Sequence, residues 1–116
     1  MAGAREALVG ARGALAAGGP ARAASAAYYA MLYAARAALS EEDLNAKTHR
    51  GTWHLFYERF VATARFDESL YLLAQDAQEL REQGDYAAQP ASEAQAHATC
   101  EQAERFVDEV ARILGG

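Results

Sequence analysis

The stretch AASAAYYAMLYAARAAL, residues 23–39, carries nine alanines and no glycine, proline or β-branched residue. Alanine, leucine, methionine and arginine are strong helix formers, so this segment reads as a helix without help from its surroundings. Tyr28, Leu32, Ala35 and Leu39 recur at steps of four and three, which places them on one buried face. Beside that stripe, Tyr29, Tyr33 and Arg36 form a second at the same spacing. Tyrosine buries a large apolar ring but needs a partner for its hydroxyl. Two adjacent stripes describe a helix covered on more than one side. Either it is the central helix of a bundle, or Tyr29, Tyr33 and Arg36 form a cleft or a dimer interface.

The rest of the chain reads the same way. Strand signals are nearly absent, and helix formers dominate. A first helix over residues 3–17 ends at Gly18 and Gly19, and Pro20 suits the first turn of the second, which runs to about Leu39. A loop, NAKTHRG, occupies residues 45–51, and a third helix spans Thr52 to Thr63 with Thr52 as its N-cap. Thr63 or Asp67 opens a fourth helix ending near Gln83. The stretch LREQGDYAAQP, residues 80–90, reads as its stop: Arg81 in the last turn, Gly84 as the breaker, Pro90 beyond. Ser92 or Pro90 starts the last helix, which closes on Gly115 and Gly116. Apolar stripes at Phe66, Leu70, Leu73, Ala77 and Leu80, and at Ala96, Cys100, Ala103, Val107, Val110 and Leu114, give each of the last two helices one buried face. Short connections make neighbours antiparallel, so the expected fold is all-α, an up-and-down bundle of four to five helices.

A chain of 116 residues is expected to be one domain, long enough for a core without staples. Its single cysteine, Cys100, forms no internal disulfide and fits the register of a buried helix face. A reducing, cytoplasmic setting is expected, with no membrane partner, because charges interrupt every apolar run. The Ala- and Arg-rich start has no hydrophobic block of the signal-peptide kind and reads as part of the fold. The net charge of −5 is uneven. Residues 1–36 carry Arg5, Arg12, Arg22 and Arg36 against Glu6, a balance of +3. Residues 67–109 carry eleven acids against Arg81 and Arg105, a balance of −9. Antiparallel helices pairing across the bundle account for such a split. A broad basic face for nucleic acid is excluded, and any phosphate contact must come from a local cluster.

Motifs for self-contained chemistry are lacking. His49, His54 and His97 have no metal-ligand spacing, so neither a metal nor another cofactor is expected. AAGGPARA lacks the lysine and the strand of a phosphate loop, and Ser25 has no evident base. What remains is a set of polar residues at helix edges: His49 and Arg50 before Gly51, then Arg81, Asp85 and Tyr86. A histidine near an arginine suits a phosphodiester, the guanidinium holding the phosphate and the imidazole exchanging a proton. The alternative is a surface histidine, with Arg81 paired to Asp85.

In order, AASAAYYAMLYAARAAL, KTHRG, LREQGDYAAQP and the acidic last helix resemble the HEPN domain family, from about Glu6 to Leu114. More narrowly they resemble its small single-domain prokaryotic branch. Tyr28 and Tyr29 match the paired tyrosines, His49 and Gly51 a T-H-x-G motif, and Arg81, Asp85 and Tyr86 an R-x-x-x-D-Y segment. The resemblance implies a bundle of four or five helices that forms homodimers. It also implies RNase toxins or RNA-processing modules, often encoded beside a minimal nucleotidyltransferase antitoxin. The family's catalytic signature is an arginine followed, after four to six residues, by a histidine. Here Arg81 is followed at those positions by Tyr86, Ala87 and Ala88, and Arg50 and His54 have only three residues between them. A tyrosine, with an ordinary pKa of about 10, is a poor base. The expected function is therefore a nucleotide- or RNA-binding module using His49, Arg81, Asp85 and Tyr86, working with a nucleotidyltransferase and not itself an enzyme. The rivals are a metal-independent RNase toxin using Arg81, Tyr86 and His49, and a helical interaction protein with a vestigial cleft.

Overall fold

The computed structural model describes residues 1–86 and 90–115, without the side chains of 84–86. It is an up-and-down bundle of five helices: α1 (Ala2–Ala16), α2 (Pro20–Glu41), α3 (His49–Phe56), α4 (Glu68–Tyr86) and α5 (Glu93–Ile113). A π-helical turn, Tyr57–Val61, extends α3. Gly18 ends α1 in the left-handed region at φ 78°, and Pro20 begins α2, as their positions in the sequence predict. At the other end of the chain, Ser92 accepts from the Gln95 backbone while the Gln95 side chain accepts from the Ser92 N–H, a reciprocal cap that fixes the start of α5.

Helix α2 is the axis of the molecule and packs against the other four helices. Its alanines let those neighbours approach closely. Ala23, Ala27, Ala30, Ala34, Ala35 and Ala38 are fully buried with Tyr28, Met31 and Leu32. Below it, Trp53 and Phe56 of α3, Phe60 of the π-turn, Phe66, and Phe106 of α5 form an aromatic core. The Phe66 and Phe106 centroids stand 4.7 Å apart and those of Phe56 and Phe66 5.0 Å apart. Cys100 lies buried in the α5 stripe, and burial pushes its thiol up from the ordinary range. The uneven charge resolves partly into pairs between α1 and α5: Arg5 meets Asp108 at 3.1 Å and Arg12 meets Glu104 at 2.5 Å. These are exposed contacts and contribute little each.

Three boundaries differ from the sequence reading. The third helix begins at His49, capped by Thr48, whose hydroxyl accepts from the Gly51 N–H at 2.9 Å. Thr52 is not the cap; it is fully buried and donates to the Thr48 carbonyl at 2.8 Å. The same helix leaves α geometry after Phe56, where the Ala62 N–H reaches the Tyr57 carbonyl five residues back. The widened turn lets Phe60 and Val61 both face the core. Finally, α4 runs through Gly84 to Tyr86, so Arg81 does not sit in its last turn. Glycine weakens a helix by only about 1 kcal/mol, which neighbouring packing overrides.

After the π-turn the chain reverses at Ala64, which holds φ 62° while the Arg65 and Phe66 N–H groups both donate to the Phe60 carbonyl at 2.9 Å. An alanine in this region is strained, and glycine is not. Ala64→Gly should therefore raise stability by about 0.5–1 kcal/mol, the relief of strain exceeding glycine's greater unfolded-state entropy. Urea unfolding measures this, and an unchanged or lowered midpoint contradicts it.

Candidate functional site

Helix α2 places Tyr28 and Tyr29 next to each other near its middle, one inside the core and the other half-buried. Tyr28 is fully buried, so its hydroxyl must find partners within the protein. Trp53 of α3 donates its indole N–H to that oxygen at 3.0 Å, and His49, at the first turn of α3, lies with Nδ1 3.4 Å from it. Gly51 belongs to this arrangement. A Cβ there would stand 2.9 Å from the Thr48 hydroxyl that caps the helix and 3.3 Å from Ala46, so the turn presenting His49 is tight.

Arg81 comes in from α4. Its guanidinium lies 5.0 Å from the Tyr29 ring centroid and 5.8 Å from that of Tyr28. The same rings flank His49, at 5.7 Å from Tyr29 and 5.9 Å from Tyr28. Arg36, two turns along α2 from Tyr29, donates through Nε to the Thr52 hydroxyl at 3.3 Å. Burial, and then the charges of Arg36 and Arg81, lower the pKa of His49 below its ordinary value, with Glu82 opposing them. These effects favour the neutral ring. Burial raises the Tyr28 hydroxyl, against the smaller effects of the Trp53 bond and Arg81.

The structure thus brings two of the four residues expected for nucleotide binding, His49 and Arg81, to one pair of rings. The side chains of the other two, Asp85 and Tyr86, lie outside the described residues. The second stripe of α2 divides: Tyr29 and Arg36 make contacts within the chain, whereas Tyr33 is 41 % exposed and touches the Tyr29 ring at 5.8 Å. Arg50 is exposed on the first turn of α3, and His54 pairs with Glu58 at 3.1 Å on the surface. Sequence reasoning missed Trp53. An indole four residues after His49 on a helix faces the same side, and that spacing was the available signal. Among the described residues no three His, Cys, Asp or Glu side chains gather to hold a metal, and no helix is long and apolar enough to cross a membrane.

Comparison with known proteins gives the class to which this helical bundle belongs. The HEPN domain model matches residues 1–114, and the chain belongs to the HEPN domain family. A UPF0332 protein of Gloeobacter violaceus is 34 % identical over 90 residues, covering 78 % of this chain and 68 % of that protein. A Methanocaldococcus jannaschii protein named "Putative toxin" is 32 % identical over 88 residues, 76 % of this chain and 66 % of its own length. A UPF0332 protein of Archaeoglobus fulgidus is 42 % identical over 65 residues, 56 % of this chain and 51 % of that protein. The chain thus spans about two thirds of the first two relatives and half of the third.

Replacing Tyr28 by phenylalanine keeps the ring but leaves the buried Trp53 N–H without its acceptor. A buried donor stripped of its partner costs about 1–3 kcal/mol. Tyr28→Phe should therefore lower the free energy of unfolding by that amount while the protein still folds. Loss below about 0.5 kcal/mol in urea would show that the bond contributes little.

Proposed function

We propose that this chain is a nucleotide- or RNA-binding HEPN module that works with a nucleotidyltransferase partner within a toxin–antitoxin pair. In this reading it lacks the family's arginine–histidine RNase site. The observation that carries the binding role is that Arg81 and His49 share the Tyr28 and Tyr29 rings, with Arg36 held on Thr52 of the same short helix as His49, in a chain of net charge −5. A local positive field in an acidic protein selects a small anion rather than a long polyanion track. Guanidinium and imidazole N–H groups suit phosphate oxygens, and the tyrosine rings hold Arg81 in place before the ligand arrives. The toxin-pair setting is supported by the names of relatives, two of which, both from Methanocaldococcus jannaschii, are called "Putative toxin". Weak or absent cleavage follows from the sequence, where Tyr86, Ala87 and Ala88 occupy the positions at which a histidine would follow Arg81.

Calorimetric titration with AMP, ATP and a short RNA tests the reading. Arg81→Ala should weaken whichever of them binds by roughly tenfold or more, since a charge-assisted contact to phosphate is worth about 1.5–3 kcal/mol. Its stability should fall by about 1–2 kcal/mol, the range for a half-buried cation–π contact. Unchanged affinity in Arg81→Ala removes the site. The second reading, an RNase using Arg81, Tyr86 and His49, draws on the position of His49 beside the rings that carry Arg81. Robust cleavage that vanishes in His49→Ala would establish it instead.

The module is further proposed to be a homodimer, supported by exposed apolar side chains at Tyr33 (41 %) and Val9 (74 %). An exposed tyrosine ring on the second stripe of α2 suits such an interface. Sedimentation equilibrium at micromolar concentration should show a dimer that Tyr33→Glu shifts towards monomer. A monomeric parent protein overturns the dimer, and a dimer indifferent to Tyr33→Glu places the interface on another face.

A further inference from the structure

We infer that Trp53 and Tyr28 are positioning residues that lock His49 with its proton on Nε2, making it a hydrogen-bond donor to the bound group and not a base. The inference rests on the proposed anion site only for what that donor meets. The locking itself follows from donors and acceptors. An indole N–H can only donate, so at 3.0 Å Trp53 fills one lone pair of the Tyr28 oxygen and leaves its hydrogen to find an acceptor. Among the described residues the one acceptor in reach is His49 Nδ1, at 3.4 Å. In the opposite arrangement Nδ1–H would donate to the tyrosine oxygen, and the hydroxyl hydrogen of a fully buried side chain would be left with nothing. Such an orphan is strongly disfavoured. The distance is long for a hydrogen bond, so the tautomer is set by the lack of another acceptor more than by the strength of this one.

The consequence reaches the chemistry. With Nδ1 occupied by Tyr28, the neutral ring must carry its proton on Nε2, which has no hydrogen-bond partner among the described residues. A nitrogen that already bears a proton takes none from a ribose hydroxyl, so His49 does not replace the histidine missing after Arg81. The groups facing His49 agree from both elements packed on it. Arg36 of α2 and Arg81 of α4 oppose a second proton on the ring, and only Glu82 of α4 favours it. The site is therefore built to bind.

The test uses the full chain with ¹⁵N-labelled histidine. Long-range ¹H–¹⁵N correlation at pH 7.5 should show His49 in the Nε2–H form, assigned by its loss in His49→Gln. Tyr28→Phe should convert it to a tautomer mixture, and Trp53→Phe should do so in part. An Nδ1–H wild type, or a Tyr28→Phe spectrum with the tautomer unchanged, overturns the inference; the wild-type spectrum decides even where a variant folds poorly. Titration with the dinucleotide UpA, whose diester does not ionise in this range, supplies the second arm. Affinity should vary by less than about twofold between pH 6.5 and 8, because a neutral donor gains nothing as pH falls. A several-fold loss over that range would show a charged imidazole and overturn the inference. No binding of UpA, AMP or ATP with the expected tautomer would remove the anion site and leave the positioning role standing.

Discussion

Burying one tyrosine hydroxyl inside an alanine helix constrains much of this structure. The alanines of α2 let four helices crowd against it, and that closeness removes water from Tyr28 entirely. A hydroxyl so placed costs several kcal/mol unless it is bonded. Both of its partners come from α3, four residues apart, so satisfying Tyr28 fixes the rotation of that short helix about its own axis. Eight residues of helix would be marginal alone. Here the Trp53 bond, the Thr48 cap and the aromatic core below hold it. The group that stabilises α3 is the same one that presents His49, so fold and site share one interaction.

The two stripes of α2 were legible because helical periodicity survives any packing, and so were the α5 cap at Ser92 and the break at Gly18. What the sequence hid has physical causes. His49 was read in a loop because two candidate caps, Thr48 and Thr52, stand one turn apart, and either hydroxyl can serve a helix start. Tertiary packing chose Thr48 by burying Thr52 against Arg36. The π-turn after Phe56 has no signature of its own, since Tyr57–Val61 suits an ordinary helix as well. Gly84 looked like a stop and lies inside α4, because local propensity is weak beside the contacts of a long helix. Arg81 is legible as one of two cations among the eleven acids of residues 67–109, a charge argument that needs no helix boundary. The role of Trp53 is legible only in part, because its spacing from His49 shows the shared face whereas its bond is to a tyrosine 25 residues earlier.

The charge pattern gains a meaning from the same geometry. Arg5 and Arg12 of α1 are matched to acids of α5, as antiparallel packing of unlike segments allows. Arg36 is held on Thr52 and Arg81 on two aromatic rings. Both arginines lie near enough to His49 for their charge to add to burial in lowering its pKa.

The groups that meet at the site have one property in common. Guanidinium groups do not lose their protons in proteins, and an imidazole held by a tyrosine hydroxyl offers only N–H. The buried Tyr28 hydrogen is turned inward and is not presented to a ligand. Arg36, Arg81 and, with its proton on Nε2 as inferred above, His49 are donors, and the complement of these three is a ligand rich in acceptors. A phosphodiester at neutral pH is such a group: it is singly charged, rich in acceptor oxygens and without a proton to give. A carboxylate fits the charge but offers two oxygens in a plane. The three donors here come from separate elements, α2, α3 and α4, and so approach from different directions. In the proposed binding role, three donors so placed suit the tetrahedral anion, and a histidine that already carries its proton on Nε2 holds it without acting as a base.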